Sequence, residues 1–141
     1  MLTLGQSETI IDTAFAYGQQ EGFKPLCVVV VDAGGHMMAM KRSEKASIYR
    51  PQIAMGKASA CIGLGLGGKT VQSMGEDRPV FFQSLSQTFP NGCVPVQGGV
   101  LIRCGEGHII GAVGVTGDLS PNDEACAVAG IKAAKLTADC G

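Results

Sequence analysis

The sequence predicts an α+β fold, an antiparallel sheet made of two hairpins and covered by helices. Three observations predict it. Apolar patterning runs helix, strand pair, helices, strand pair, helix along the chain. Each strand pair closes on a short glycine turn, Ala33-Gly34-Gly35 or Gly105-Glu106-Gly107, and tight turns force antiparallel pairing. The strands at 26–32 and 108–115 are apolar on successive residues, so both sheet faces need cover.

The elements follow in order. Residues 3–21 read as a helix, with Thr3 and Gln6 as a capping box and Leu4, Ile10, Ile11, Ala14, Phe15 and Tyr17 as the apolar face. Gly22 and Pro25 end it. Residues 26–32 are a β-branched run suited to a central strand, and 36–42 supply its hairpin partner. Residues 43–47 are polar and loop out. Residues 48–62 read as a helix with Pro51 near its start. Gly63 to Gly68 breaks that helix, and 70–74 and 80–88 read as short helices around Asp77-Arg78-Pro79. Pro90-Asn91-Gly92 and Pro95 mark a long excursion. Residues 100–103 and 108–115 form the second hairpin. Ser120 is the expected N-cap and Pro121 the expected first residue of a last helix over 121–137, with Asp123 and Glu124 suiting its positive end.

Composition bounds the function. A chain of 141 residues is sized for one domain, here 1–141. Only 16% of residues are charged while 45% are hydrophobic, which points to surface covered by further copies, a homo-oligomer. A net charge of −1, no tryptophan and no basic stripe argue against nucleic acid as a partner. No run is apolar for long enough to cross a membrane, and no basic leader opens the chain. The six cysteines contain no C-x-x-C pair, which argues against a structural zinc or iron–sulfur site; the expected setting is a reducing, cytoplasmic one.

Several residues carry candidate chemistry. Gly63-Leu-Gly-Leu-Gly-Gly68-Lys69-Thr70 satisfies a phosphate-loop pattern, but it follows a helical stretch and not a strand, so it reads as a flexible loop. His36 and His108 are the only imidazoles, each opening a strand after a glycine turn; each reads as a haem or metal ligand or as an ordinary turn histidine. Cys104 lies across the same turn from His108, where thiolate and imidazole could meet. Asp32 reads as a turn cap for Gly34-Gly35 or as an acid/base group. Lys57 shares an apolar helix face with Ile53, Ala54 and Cys61, which suggests a buried ammonium. Asp32, Lys57 and Glu124 would serve acid/base catalysis if they met in one pocket near Gly98, Gly99 and the Thr116 corner. Met37, Met38, Met40, Met55 and Met74 offer soft surfaces suited to a flat apolar ligand, a core or a subunit interface.

In order and spacing, Val31-Asp32-Ala-Gly-Gly-His36, Met40-Lys-Arg42, Ile53-Ala-Met-Gly-Lys57-Ala58, Val94-Pro-Val-Gln-Gly98-Gly99, Gly111-Ala-Val-Gly-Val-Thr-Gly117 and Asp123-Glu124-Ala-Cys-Ala127-Val-Ala-Gly130 resemble the GlcG/HbpS family over residues 8–136. This family, also called the haem-degrading domain family, includes the carboxy-terminal domain of some corrinoid adenosyltransferases. The resemblance implies a profilin-like fold and homo-oligomers such as octamers. It also implies a small-molecule ligand, with haem as a cofactor in several relatives and haem degradation in some. Arg42 then joins Gly98, Gly99 and Thr116 as a candidate ligand contact. Where relatives read Arg-Met-Asp-Gly-Ala this chain has Arg42-Ser-Glu-Lys-Ala46, and residues 3–21 lack the histidine that some haem-binding relatives carry there. The first expectation is therefore a haem or tetrapyrrole binder using His36, His108 or Cys104. The alternatives are a small catabolic enzyme, isomerase or lyase in type, using Asp32, Lys57 and Glu124, and an accessory subunit without chemistry of its own.

Overall fold

A computed structural model describes residues 1–141. In chain order its elements are α1 (Leu4–Gln20), β1 (Cys27–Asp32), β2 (Met37–Arg42), α2 (Arg50–Leu64), α3 (Gly68–Asp77), α4 (Pro79–Thr88), β3 (Gly99–Arg103), β4 (Ile109–Thr116), α5 (Ser120–Ala133) and β5 (Thr137–Asp139). The strands form one antiparallel sheet in the order β2-β1-β4-β3-β5. This is the α+β arrangement that the two hairpins predict.

The helix starts differ in how they are capped. At α1 the capping box is present: Gln6 N–H donates to Thr3 Oγ1 at 3.1 Å and Thr3 N–H to Gln6 Oε1 at 3.0 Å. At α5 the expected Ser120 cap is corrected: Leu119 holds the N-cap position and Ser120 is already helical. The side chain that matters there is Asp123, whose carboxylate accepts the Asp118 N–H at 3.0 Å. The last helix also ends sooner than 137. Lys135 adopts a left-handed φ of 62°, and the chain turns into the short edge strand β5 beside β3.

The two sheet faces bury different partners. Val28, Val30, Val113 and Val115 pack against α1 and α5 through Ile10, Ile11, Ala127 and Ile131. Val29, Val31, Leu101 and Ala112 pack against α2 through Ala54, Ala58 and Cys61. The four valines of β1 are fully buried, each contributing roughly 1.5–3 kcal/mol relative to exposure. A satellite cluster of Val71, Phe82, Leu85 and Cys93 seats α3 and α4 beside α2.

On the α2 face, Gly99 of β3 and Gly114 of β4 are register partners. A Cβ on Gly114 would collide with the Ala54 carbonyl oxygen, and one on Gly99 would lie 2.7 Å from the Lys57 carbonyl oxygen. The paired glycines thus let the α2 backbone rest directly on the sheet. Gly114→Ala is expected to destabilise the protein by about 1–3 kcal/mol through overpacking. Gly105→Ala, where the added carbon meets nothing within 4 Å, is expected to stay within about 0.5 kcal/mol of the parent. Urea denaturation midpoints compare the two.

Candidate functional site

The hairpin turns share one backbone geometry. Asp32 N–H donates to the His36 carbonyl at 2.9 Å and Gly35 N–H to the Asp32 carbonyl at 3.0 Å; Cys104 and His108 repeat the pattern at 3.0 Å, with Gly107 N–H on the Cys104 carbonyl at 2.9 Å. Gly35 and Gly107 supply the left-handed residue that such turns need, with φ of 81° and 87°.

The side chains separate the turns. Asp32 Oδ1 accepts the Gly34 N–H at 2.9 Å and the His36 N–H at 3.0 Å, and lies 3.3 Å from His36 Nδ1. The bond from the His36 backbone is the largest cause holding the Asp32 carboxyl below its ordinary value of 3.8. The imidazole lies over Gly34, where an added Cβ would stand 2.8 Å from Cε1. With Nδ1 engaged, Nε2 has no protein partner, and the side chain is 82% exposed. Beside it is a depression of about 440 Å³ walled by Leu2, Met38, Ile109 and Ile110. A second, of about 320 Å³, lies on its other side against Ser59, Ile62 and Phe89. Asp32 is thus a turn cap that also braces an imidazole.

The second turn has no such brace. His108 Nε2 lies 3.7 Å from Glu106 Oε2, with both side chains exposed. Cys104 and His108 meet through the backbone, and no hydrogen bond joins thiol to imidazole.

At the opposite end of the sheet, Lys57 Nζ donates to the Val115 carbonyl at 2.9 Å and to Asp123 Oδ2 at 3.1 Å. The two side chains are 3% and 1% exposed. Burial depresses Lys57 and raises Asp123, while their mutual attraction opposes both shifts. Gly98, at φ 110°, leaves room for the ammonium, since a Cβ there would be 2.7 Å from Nζ. Arg50 donates to the buried Thr116 hydroxyl at 2.7 Å and to Ser47 Oγ at 3.1 Å. Glu124 turns elsewhere, to Lys69 Nζ at 3.3 Å and Gln97 Nε2 at 3.2 Å. Arg42 holds the carbonyls of Ser43 and Ala46, both at 3.1 Å.

The structure therefore brings Lys57, Thr116, Gly98 and Gly99 together but leaves Asp32 out. Cys27 is the register partner of Thr116 and Asp32 that of Gly111, so five strand steps, about 17 Å, separate Asp32 from the Lys57 end. The expected cavity shared by Asp32, Lys57 and Glu124 is corrected on this ground, and no surface depression is lined by Lys57, Asp123 or Thr116. From the sequence Asp123 reads as a dipole partner; its role as the acid opposite Lys57 comes from a contact across 66 residues. Arg50, a single arginine at a helix start, carries no sequence pattern that marks a site. The phosphate-loop pattern meets a physical obstacle too: at the α3 N-terminus the Lys69 N–H donates to the Cys140 carbonyl at 2.8 Å, so chain occupies the cradle. All six thiols are free; burial pushes Cys61 and Cys126 up to about 12, which leaves them poor nucleophiles.

Lys57→Met is expected to cost about 3–5 kcal/mol by stranding a buried carboxylate, and adding Asp123→Leu is expected to restore most of it; denaturation of the double-mutant cycle measures both. Because the folded-state value of Asp32 is depressed, its contribution is present in full above pH 3.8 and is lost as pH falls through the lower folded value. The stability gap between the parent and Asp32→Asn is therefore expected to be present at pH 5 and to shrink as pH falls below 4, as read by urea titrations at each pH.

The family described as haem-degrading protein HbpS-like matches residues 2–132. Among curated proteins, none matches at a significant level. A PduOC:haem complex superposes with a TM-score of 0.84 at 20% identity, covering 96% of each chain. Klebsiella pneumoniae protein ORFY has a TM-score of 0.84 at 22% identity, covering 95% of this chain and 90% of its own. A double mutant of Streptomyces reticuli HbpS has a TM-score of 0.79 at 22% identity, covering 93% and 85%. At these identities the structures share the fold. No helix is long and apolar enough to cross a membrane. With the family match spanning nearly the whole sequence, the chain belongs to the HbpS-like haem-degrading protein family.

Proposed function

We propose that this chain binds haem or a closely related tetrapyrrole, with His36 as the iron ligand. One observation carries the reading: an exposed imidazole with Nδ1 against a carboxylate and Nε2 free, set at the lip of an apolar depression. A carboxylate on the far ring nitrogen fixes the tautomer and raises the basicity of the ligating one. The depression of about 440 Å³ falls in the range of small-molecule sites, about 300–1,000 Å³, and its Leu2, Met38, Ile109 and Ile110 walls suit a flat apolar ring. The donor set therefore fits the group. Bound haem would supply an iron centre for ligand or electron chemistry. Asp32 orients the imidazole, Gly34 makes room for it, and the apolar wall excludes water from one side. The family description and the haem-bound PduOC neighbour support the same reading.

Two coarser expectations join it. Exposed Met37, Met40, Ile48 and Tyr49 on and beside the open strand β2 support self-association into homo-oligomers. Six unpaired cysteines support a reducing, cytoplasmic setting.

Titration with hemin is expected to give a saturating Soret band at one equivalent per chain. His36→Ala is expected to abolish it, His108→Ala to leave it, and Asp32→Asn to weaken binding by about 10–100-fold. A Soret band of unchanged position and affinity in His36→Ala would defeat the reading.

A further inference from the structure

A different depression, of about 410 Å³, lies between the end of α1 and the start of β1. It is bordered by Leu26, just before β1, whereas Asp32 and His36 lie at the other end of that strand, so it is separate from the His36 site. Phe15, Phe23 and Leu26 form its apolar wall, and Lys24, Glu44 and Lys45 stand on its rim.

Its two lysines are free of ion pairs. Neither the Lys24 nor the Lys45 ammonium lies within 4 Å of a carboxylate. Asp118, outside the depression's lining, accepts the Lys24 N–H at 2.8 Å on Oδ1 and Asn122 Nδ2 at 2.7 Å on Oδ2 and keeps its negative charge near Lys24. Glu44 is the one acid among the lining residues, which include both lysines. The walls are preformed as well. Phe23 N–H is bonded to the Gly18 carbonyl at 2.9 Å, and its ring meets Tyr17 edge-on at 6.2 Å. The 43–46 loop is pinned by Ser43 N–H on the Leu26 carbonyl at 2.9 Å and by the two Arg42 bonds.

We propose that this depression is a second ligand site, for an aromatic organic anion: a flat apolar body against Phe15 and Phe23, and a carboxylate or sulfonate between Lys24 and Lys45. Fixed apolar walls with a few convergent polar groups are the general form of such sites. Two unpaired cations select charge and orientation.

The probe is 1-anilinonaphthalene-8-sulfonate, compared with N-phenyl-1-naphthylamine, which has the same rings and no charge. The sulfonate is expected to bind saturably, one per chain, with enhanced fluorescence. Lys24→Gln/Lys45→Gln is expected to weaken it about tenfold at low salt, with melting temperature and affinity for the neutral analogue unchanged. Hemin binding through His36 is expected to be unaffected in that variant, so the two sites can fail separately. Equal sulfonate affinity in parent and lysine variant overturns the proposal, as does loss of the probe in Met38→Asp with retention in the lysine variant. Loss of the hemin Soret band in the lysine variant also overturns it, because the two depressions would then be one site.

Discussion

The seating of α2 on the sheet is the constraint from which the rest of the molecule follows. Two glycines meet in register on adjacent strands, and the helix rests on them through Ala54, Ala58 and its own carbonyls. At that distance the Lys57 side chain has no route to solvent. It runs along the sheet to the Val115 carbonyl, and the low dielectric there requires a counter-charge, which Asp123 supplies from the first turn of α5. One close contact thus fixes where the last helix begins and how the β4–α5 connection folds. Asp118 donates its N–H to the same carboxylate, so the connection is tied to the pair.

The two ends of β1 carry opposite chemistry. At one end a charged pair is sealed, with every buried polar atom bonded and both groups pushed toward their neutral forms. Such a pair fixes conformation and offers no atom to a substrate. At the other end an imidazole stands in solvent, braced from behind, with one nitrogen uncommitted. The equivalent turn at Cys104 to His108 has the same backbone and lacks the bracing carboxylate, which separates two histidines that local sequence makes look alike.

Much of this was legible in the residues, for local reasons. Thr3 and Gln6 announce a capped helix, Asp32-Ala-Gly-Gly-His36 announces a turn, and the valines of β1 announce a strand buried on both faces. What escaped depended on contacts distant in sequence. β5 is three residues long, too short for any periodicity, and exists because β3 offers it an edge. Lys57 announced burial but not its partner, since Asp123 and Glu124 are adjacent and equally acidic. Only the direction each takes from α5 shows which one turns inward. Asp32 reads from the sequence both as cap and as catalyst, and register alone removes it from the Lys57 end.

The sheet also has unlike borders. On one flank β5 presents three residues, with Arg103 and Asp139 clamped across it at 2.9 Å. On the other, β2 presents six residues and a free row of amides and carbonyls. A sheet with a single long open border can pair edge to edge with at most one further sheet, so any growth by that route would end at two and could not run on into a fibre.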